Sequence, residues 1–91
     1  MNERIVALDV GDRRIGIAVS DALGITAQPI ETYTRVGYGP DVRRISQIAQ
    51  QYETNHILCG LPLNMDGTRG FQAEKVTQLA EKLEEAGLVV S

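Results

Sequence analysis

Asp9 is the residue of this 91-residue chain whose position most favours chemistry. It interrupts a nearly continuous apolar run from residue 4 to residue 10, just before the segment Gly11-Asp12-Arg13-Arg14. An ionised carboxylate inside an apolar strand is costly unless it is hydrogen-bonded, paired or bound to a cation. Either Asp9 or Asp12 could simply hydrogen-bond the turn backbone, which is the role expected of Asp12 within the turn, whereas for Asp9 a functional role is favoured.

A second set of polar residues lies in residues 60 to 70, between the apolar run His56 to Leu61 and a helical pattern. If that run is a strand parallel to the first, as a helical crossover favours, its carboxyl end lies beside Asp9. The segment also leads into a helix N-terminus, where free N–H groups attract phosphate and Thr68 and Arg69 could add donors. An ordinary turn at Asp66-Gly67 and an ordinary N-cap at Thr68 explain the same residues equally well.

The spacing of apolar residues predicts the strands and helices that must position these residues. Apolar or β-branched runs at 4–10, 15–19 and 25–34 predict three antiparallel strands, with Pro29 typical of an edge strand. Helical spacing at 42–52 and 71–83 predicts two helices, the second ended by Gly87, with strands at 56–61 and from Leu88 onward. The prediction is a single α/β domain with a mixed sheet: three antiparallel strands, then parallel strands joined by helical crossovers.

Composition and charge further limit the class of protein, its binding partners and its compartment. A hydrophobic share of 43% and a charged share of 23% are those of an ordinary globular protein. The net charge of −3 argues mildly against nucleic-acid binding, although seven of the nine basic residues are arginines and all of these precede residue 70. No apolar stretch has the length of a membrane span or a signal peptide, and the single cysteine, Cys59, lies in an apolar run. We expect a cytoplasmic protein in which Cys59 is a buried small hydrophobe.

Two segments resemble the signatures of a known family, the YqgF/RuvX-type pre-16S ribosomal RNA nucleases, also described as Holliday junction resolvase-like proteins. They are Leu8-Asp9-Val10-Gly11 with Arg13 and Ile15 to Asp21, and then Gly60 to Thr68. The resemblance spans essentially the whole chain. It implies an RNase H-like fold, hydrolysis of phosphodiester bonds in structured RNA or branched DNA, and a divalent metal, Mg²⁺ or Mn²⁺, held by carboxylates.

The resemblance also assigns roles to residues. Asp9 is implied to be a catalytic residue and the first metal ligand. Of the arginines that flank the turn, Arg13 and Arg14, one is expected to face the site, and Arg13 is the position that fits the family. The residues implied to bind substrate are Gly11, Arg13, Asn64, Asp66, Gly67 and Thr68.

The family takes its other metal ligands from a glutamate in an Asp-Glu-Arg signature after the next strand and from an aspartate on a C-terminal helix. Neither motif occurs in this sequence. We therefore expect residues 1–91 to form one RNase H-like domain that lacks its C-terminal part and is inactive alone. Apolar sheet surface left uncovered should then favour self-association as a homo-oligomer.

Four functions are compatible with these sequence features. The resemblance favours 5′-end processing of pre-16S ribosomal RNA, and Holliday junction resolution requires the same metal chemistry. A phosphotransferase of a related fold would use a similar Asp-x-Gly hairpin for ATP phosphate, but Gly60 to Thr68 does not resemble those enzymes. A non-catalytic nucleic-acid-binding module is the fourth, because related domains keep the fold without a full carboxylate set.

Overall fold

A computed structural model describes residues 4–21, 26–60 and 71–91, with side chains of the last segment described from Glu74 onward. The predicted order of elements is confirmed. The elements are β1 (Val6–Val10), β2 (Arg14–Ser20), β3 (Ala27–Thr34), α1 (Tyr38–Gln51), β4 (His56–Cys59), α2 (Phe71–Glu85) and β5 (Val89–Val90).

The strands form one five-stranded sheet in the order β3-β2-β1-β4-β5. β1 pairs antiparallel with β2, and β2 with β3, because short turns connect them. β1 pairs parallel with β4, and β4 with β5, as helical crossovers require. The predicted mixed α/β sheet is therefore confirmed, and β1 lies at its centre with its carboxyl end beside that of β4.

One face of this sheet carries the hydrophobic core. Alternate residues of β1 and β2 are buried there against both helices. They are Val6, Leu8, Val10, Ile15, Ile17 and Val19 from the strands, with Ile45 and Ile48 of α1 and Val76, Leu79 and Leu83 of α2. Fully burying one such side chain stabilises the fold by about 1.5–3 kcal/mol, so this cluster accounts for most of the packing energy.

The opposite face is covered by no element among residues 4–21, 26–60 and 71–91. Ile5 is 40% exposed and Leu58 is 48% exposed on that face, with Leu58 paired beside Ala7 in the parallel register. Val89, paired with His56, is 49% exposed. The expectation of uncovered apolar sheet surface is met for the part of the chain that the structure describes.

α1 begins at Tyr38, earlier than the predicted start at residue 42. Gly39 and Pro40 belong to the first turn of the helix rather than to the preceding loop. Pro is tolerated there because first-turn N–H groups have no partner within the helix. The Asp41 side chain accepts hydrogen bonds from the N–H groups of Val36 and Gly37, which fixes the start of the helix.

Smaller predictions have clear outcomes. β3 is an edge strand, and Pro29 pairs with Ala18 at the register shift of the β2–β3 ladder, where one ladder hydrogen bond is dispensable. Gly87 follows α2 with φ of 97°, as a helix-ending glycine should.

Cys59 is only partly buried, and burial raises the pKa of its thiol to about 11. Among the described helices, none is long and apolar enough to cross a membrane.

Candidate functional site

Asp9 lies near the carboxyl end of β1 and points away from the core. Its neighbours Leu8 and Val10 are 3% and 4% exposed, whereas Asp9 itself is exposed on the open face of the sheet. The premise that Asp9 is a desolvated carboxylate that must be paired, hydrogen-bonded or bound to a cation is therefore wrong, because β1 alternates between two faces. What remains is an accessible carboxylate at the sheet edge where open α/β sheets bind ligands.

The space beside the Asp9 carboxylate is open because its cross-strand partner is Gly16. A cavity of about 310 Å³ lies there, lined by residues that include Asp9, Gly16, Ala18 and Thr32. A Cβ at position 16 would lie 3.6 Å from the Asp9 Cβ, an ordinary contact. Glycine is thus not required by the fold at position 16, and its effect is to leave room next to Asp9.

The Asp9 side chain makes no hydrogen bond or ion pair with any residue that the structure describes. Glu31 also borders this cavity, but it pairs with the buried Ile17, so its side chain lies on the helix-bearing face, where the carboxylate forms a bidentate pair with Arg44 of α1. The Arg44 hydrogen bond is the main cause of a lowered pKa at Glu31. Asp9 is therefore the one carboxylate of this cavity left available to an external cation.

The turn that follows Asp9 is tightly built. The Gly11 N–H donates to the Arg14 carbonyl oxygen over 2.8 Å, which closes the hairpin. A Cβ at Gly11 would lie 3.0 Å from that same oxygen, closer than side chains normally approach backbone. Gly11 thus has a structural reason for being glycine, whatever else it contacts.

Sequence reasoning missed Arg35 and Asp41, which support this turn. The Arg35 guanidinium donates from Nη1 to the Gly11 carbonyl over 3.1 Å and from Nε to the Asp41 carboxylate over 3.0 Å. Asp41 is fully buried, and Arg35 is 12% exposed. The pair connects the hairpin after Asp9 to the N-terminus of α1. An aspartate in the first turn of an amphipathic helix is the signal that would have indicated a capping role.

The pKa of Asp41 is set by opposing effects. Burial raises it, but the hydrogen bonds from the Val36 N–H, from Arg35 and from the Gly37 N–H, together with the Arg35 charge, outweigh burial. The net result is a pKa below the ordinary value of 3.8. Asp41 is thus a buried, ionised carboxylate whose charge is satisfied inside the protein.

Two further aspartates have structural partners. Asp12 forms an ion pair with Lys75 of α2, with Nζ and Oδ1 3.0 Å apart. The predicted role of Asp12, hydrogen bonding within its own turn, omitted this long-range contact. Asp21 accepts a hydrogen bond from the Thr26 hydroxyl over 2.9 Å, and its N–H donates to the Thr26 carbonyl. Asp21 lies at the far end of the sheet from Asp9, as predicted.

Asn64, Asp66, Gly67 and Thr68 lie outside the described residues. The residues that flank them are near the Asp9 end of the sheet. The Gly60 N–H donates to the Leu8 carbonyl over 3.1 Å, which extends the β1–β4 pairing to the residue before Asp9. On the other side, Lys75 contacts the hairpin turn through Asp12.

A divalent metal would find one ligand among these residues. Asp9 offers an accessible carboxylate oxygen, the donor type that Mg²⁺ and Mn²⁺ prefer. Within the described part of the chain, no three His, Cys, Asp or Glu side chains lie close enough to hold a metal together. The described residues therefore fit one position of a metal site and do not form a complete two-metal centre, which takes several acidic ligands.

Comparison with known proteins assigns the chain to a family. Residues 3–90 match the family model described as RuvX: Holliday junction resolvase. A protein of Clostridium acetobutylicum named "Putative pre-16S rRNA nuclease" is 45% identical over 82 residues, which are 90% of this chain and 61% of that protein. One of the same name from Clostridium tetani is 49% identical over 80 residues, 88% of this chain and 58% of that protein. The chain thus spans about three fifths of the length of these relatives.

A solved structure shares the fold. The chain superposes on T. thermophilus RuvC, solved in complex with a Holliday junction substrate, with a TM-score of 0.65 and 16% sequence identity. The match covers 98% of this chain and 62% of RuvC. At this level of identity the likeness concerns the RuvC-like arrangement of the sheet and helices. With residues 3–90 matched by its model, this chain belongs to the RuvX family.

Proposed function

We propose that this chain is the nucleic-acid-binding part, with the first metal ligand, of a cytoplasmic nuclease that hydrolyses phosphodiester bonds in structured nucleic acid. The 5′ end of pre-16S ribosomal RNA is the substrate that the similarity to the Clostridium relatives supports. The observation that carries the proposal is Asp9, an exposed carboxylate at the carboxyl edge of a RuvX-family sheet with no partner among the described residues.

Each candidate residue has a proposed role in this function. Asp9 holds a divalent cation, Mg²⁺ or Mn²⁺, which when bound supplies charge neutralisation and water activation for phosphodiester hydrolysis. Gly16 leaves the space in which a phosphate approaches that carboxylate. Gly11 and Arg13 contact the nucleic-acid backbone at the hairpin. The segment with Asn64, Asp66, Gly67 and Thr68 completes the substrate-binding set, which is supported by its flanking contacts at Leu8 and Asp12.

We propose that the 91-residue chain alone binds nucleic acid without cleaving it. The described residues supply one free carboxylate to this edge, whereas two-metal hydrolysis requires several ligands that converge on the ions. In this proposal residues 1–91 belong to one RNase H-like domain, and the missing ligands come from the two fifths of the relatives that the chain does not match. The chain by itself then acts as a non-catalytic binding module.

Holliday junction resolution is the second candidate. The description of the matching family names that activity, and the fold is shared with RuvC. Both substrates present phosphodiesters at a branched or folded backbone, so they differ in shape rather than in the chemistry required. Parallel titrations with a four-way DNA junction and with a stem–loop RNA from the 5′ side of pre-16S ribosomal RNA separate the two candidates by relative affinity.

The experiment that tests the nuclease proposal uses a chimera. The chain is extended with the part of the Clostridium acetobutylicum relative that it does not match, and cleavage of the stem–loop RNA is measured with and without Mg²⁺. We expect Mg²⁺-dependent cleavage by the chimera and none by the 91-residue chain. Asp9→Asn should abolish the activity. Asp12→Asn, which removes a nearby carboxylate that is paired with Lys75, should retain it.

Two results would contradict the proposal. Mg²⁺-dependent cleavage by the 91-residue chain, lost in Asp9→Asn, would show that the described carboxylate suffices. A folded chimera that cleaves neither RNA nor junction DNA would argue against a nuclease. Binding to nucleic acid by such a chimera would then favour a binding module, and we would abandon the catalytic role of Asp9.

We also propose that the 91-residue chain self-associates through its uncovered sheet face. The exposed apolar side chains Ile5, Leu58 and Val89 lie on neighbouring strands of that face. Apolar side chains exposed on one face of a sheet favour association with a second apolar surface.

A further inference from the structure

Arg14 shares the open face of the sheet with Asp9. In the antiparallel register Asp9 pairs with Gly16, and paired residues point to the same side of a sheet. Ile15 and Ile17 are buried on the core side, so their alternates Arg14 and Gly16 lie on the open side. Arg14 is therefore the diagonal cross-strand neighbour of Asp9, a relation in which residues lie about 7–8 Å apart, within reach of a long side chain.

The surroundings of Arg14 on this face leave its guanidinium accessible. The next residue of β2 on the open face is Gly16, the cross-strand partner of Asp9, which has no side chain. On the adjoining strand Arg14 pairs with Thr34 and Gly16 pairs with Thr32, and both threonines are exposed. Arg14 is itself exposed and makes no ion pair with any residue in the described part of the chain.

Arg13 lies in the hairpin turn, one residue before β2 begins at Arg14. Its carbonyl accepts a hydrogen bond of 2.8 Å from the Arg35 N–H, beside the Arg14–Thr34 pair. The Arg35 side chain lies on the helix-bearing side of the sheet, where it contacts Asp41 of α1. Of the two adjacent arginines, Arg14 is thus the one that a strand register places on the same face as Asp9.

A phosphodiester at Asp9 needs a second positive contact. The Asp9 carboxylate repels phosphate, and a cation bound by a single carboxylate retains only part of its attraction for a second anion. A guanidinium offers two parallel N–H donors that match two phosphate oxygens, and on the same face it can engage a phosphate that also contacts the cation. The two exposed threonine hydroxyls add neutral donors beside it.

We infer that Arg14 is a substrate-positioning residue that holds a backbone phosphate of the nucleic acid against the cation at Asp9. The inference rests on the proposed function, since it requires nucleic acid and a divalent cation at this face. It assigns different roles to the two adjacent arginines. Arg14 contributes to the part of the affinity that depends on metal, and Arg13 contributes only general attraction to the backbone.

The test measures binding by the 91-residue chain with fluorescein-labelled stem–loop RNA and four-way DNA junction, each in Mn²⁺ and in EDTA. The variants are Arg14→Gln, Arg13→Gln, Arg14→Lys and Asp9→Asn. Both glutamine variants remove one positive charge from adjacent exposed positions, so they form a matched pair. Urea unfolding confirms that each variant is folded, and electron paramagnetic resonance of free Mn²⁺ reports metal binding without nucleic acid.

We expect the wild-type chain to bind more tightly in Mn²⁺ than in EDTA. Arg14→Gln should weaken binding in Mn²⁺ about tenfold, as expected for loss of a hydrogen bond between charged groups, and less than threefold in EDTA. Arg13→Gln should weaken binding by the same small factor in both solutions. Arg14→Lys should recover part of the loss, and Mn²⁺ binding alone should be unchanged in Arg14→Gln but lost in Asp9→Asn.

Two outcomes overturn the inference in distinguishable ways. Equal effects of Arg14→Gln and Arg13→Gln in Mn²⁺, with the wild type binding normally, would refute the role of Arg14 and leave the proposed function standing. Absence of nucleic-acid binding by the wild-type chain in either solution would remove the proposed function and this inference together.

Discussion

Replacing Asp41 should destabilise the whole domain, because this carboxylate holds Arg35, which supports the hairpin turn after Asp9. Its carboxylate is fully buried and accepts hydrogen bonds from the Val36 and Gly37 N–H groups and from the Arg35 guanidinium, at 3.0, 3.4 and 3.0 Å. Asp41→Ala removes all three hydrogen bonds at once. The Arg35 charge, 12% exposed, then lacks its carboxylate partner, and the Val36 and Gly37 N–H groups just before α1 lose their acceptor.

The magnitude follows from these contacts. Removing one partner of a buried ion pair costs about 3–5 kcal/mol, and each buried N–H group left without an acceptor costs about 1–3 kcal/mol. Because Arg35 keeps its bond to Gly11 and some contact with water, we expect about 3 kcal/mol for Asp41→Ala. Asp41→Asn keeps an acceptor for the backbone N–H groups but loses the charge, so we expect about 2 kcal/mol.

The pH dependence of stability provides a second readout. The pKa of Asp41 is lower in the folded protein than its ordinary value of 3.8, so the unfolded state binds more protons between the two values. The contribution of Asp41 is therefore fully present above about pH 4 and is lost as the pH falls through the folded pKa. Asp41→Asn should show a shallower loss of stability below pH 4 than the wild type.

Urea unfolding followed by circular dichroism measures both effects. For a small domain with a slope of about 1 kcal/mol per molar, a loss of 3 kcal/mol lowers the midpoint by about 3 M. Asp12→Ala is the control, because it breaks an exposed ion pair and should change stability by less than about 0.5 kcal/mol. A change below 1 kcal/mol in Asp41→Ala, or the same acid sensitivity in Asp41→Asn as in wild type, would refute the role given to this pair.

Three further predictions concern other parts of the fold. Leu58→Lys places a charge on the uncovered face, so association seen by sedimentation velocity should fall; a wild-type chain that stays monomeric at several hundred micromolar would refute the association itself. Gly87→Ala forces φ of 97° on a residue with a Cβ and should cost about 1 kcal/mol in urea unfolding, and no change would show that the helix end relaxes. Cys59, with a pKa of about 11, should react far more slowly with a disulfide reagent at pH 8 in the native chain than in urea, and equal rates would contradict its protection.

The order of elements and the sheet topology could be predicted because they depend on local patterns. Short turns at Gly11 and near Asp21 require antiparallel strands, and a helix between β1 and β4 requires a parallel pairing. The start of α1 could not be read from hydrophobic spacing. It depends on the Asp41 carboxylate reaching back to Val36 and Gly37, a contact that has no apolar periodicity.

The candidate site was predicted in part. The position of Asp9 at the end of β1 followed from the apolar run and the turn after it. The side of the sheet to which its side chain points could not be predicted, because nearly every residue of a central strand is apolar. Only the register with Gly16 and the burial of Leu8 and Val10 show that Asp9 faces the open side. Apolar spacing alone could not decide which of Arg13 and Arg14 faces the site, since a shift by one residue exchanges the faces of a strand.

The contact by which Arg35 supports the hairpin could not be predicted from the sequence for a different reason. Arg35 and the Gly11 carbonyl that it contacts are 24 residues apart, and the contact exists only because β3 returns beside β2. No spacing in the sequence encodes a pairing between side chain and backbone across that distance. The Asp12–Lys75 pair, 63 residues apart, is of the same kind.

The measurement that tests the central claim most directly is a divalent-metal titration of the 91-residue chain. Amide signals of ¹⁵N-labelled protein are followed during addition of Mg²⁺, for wild type, Asp9→Asn and Asp12→Asn. If Asp9 is the first metal ligand, the Asp9 and Gly16 signals should shift saturably in wild type and Asp12→Asn and should not shift in Asp9→Asn. The same saturable shifts in Asp9→Asn, or shifts confined to residues away from the open face, would contradict the assignment.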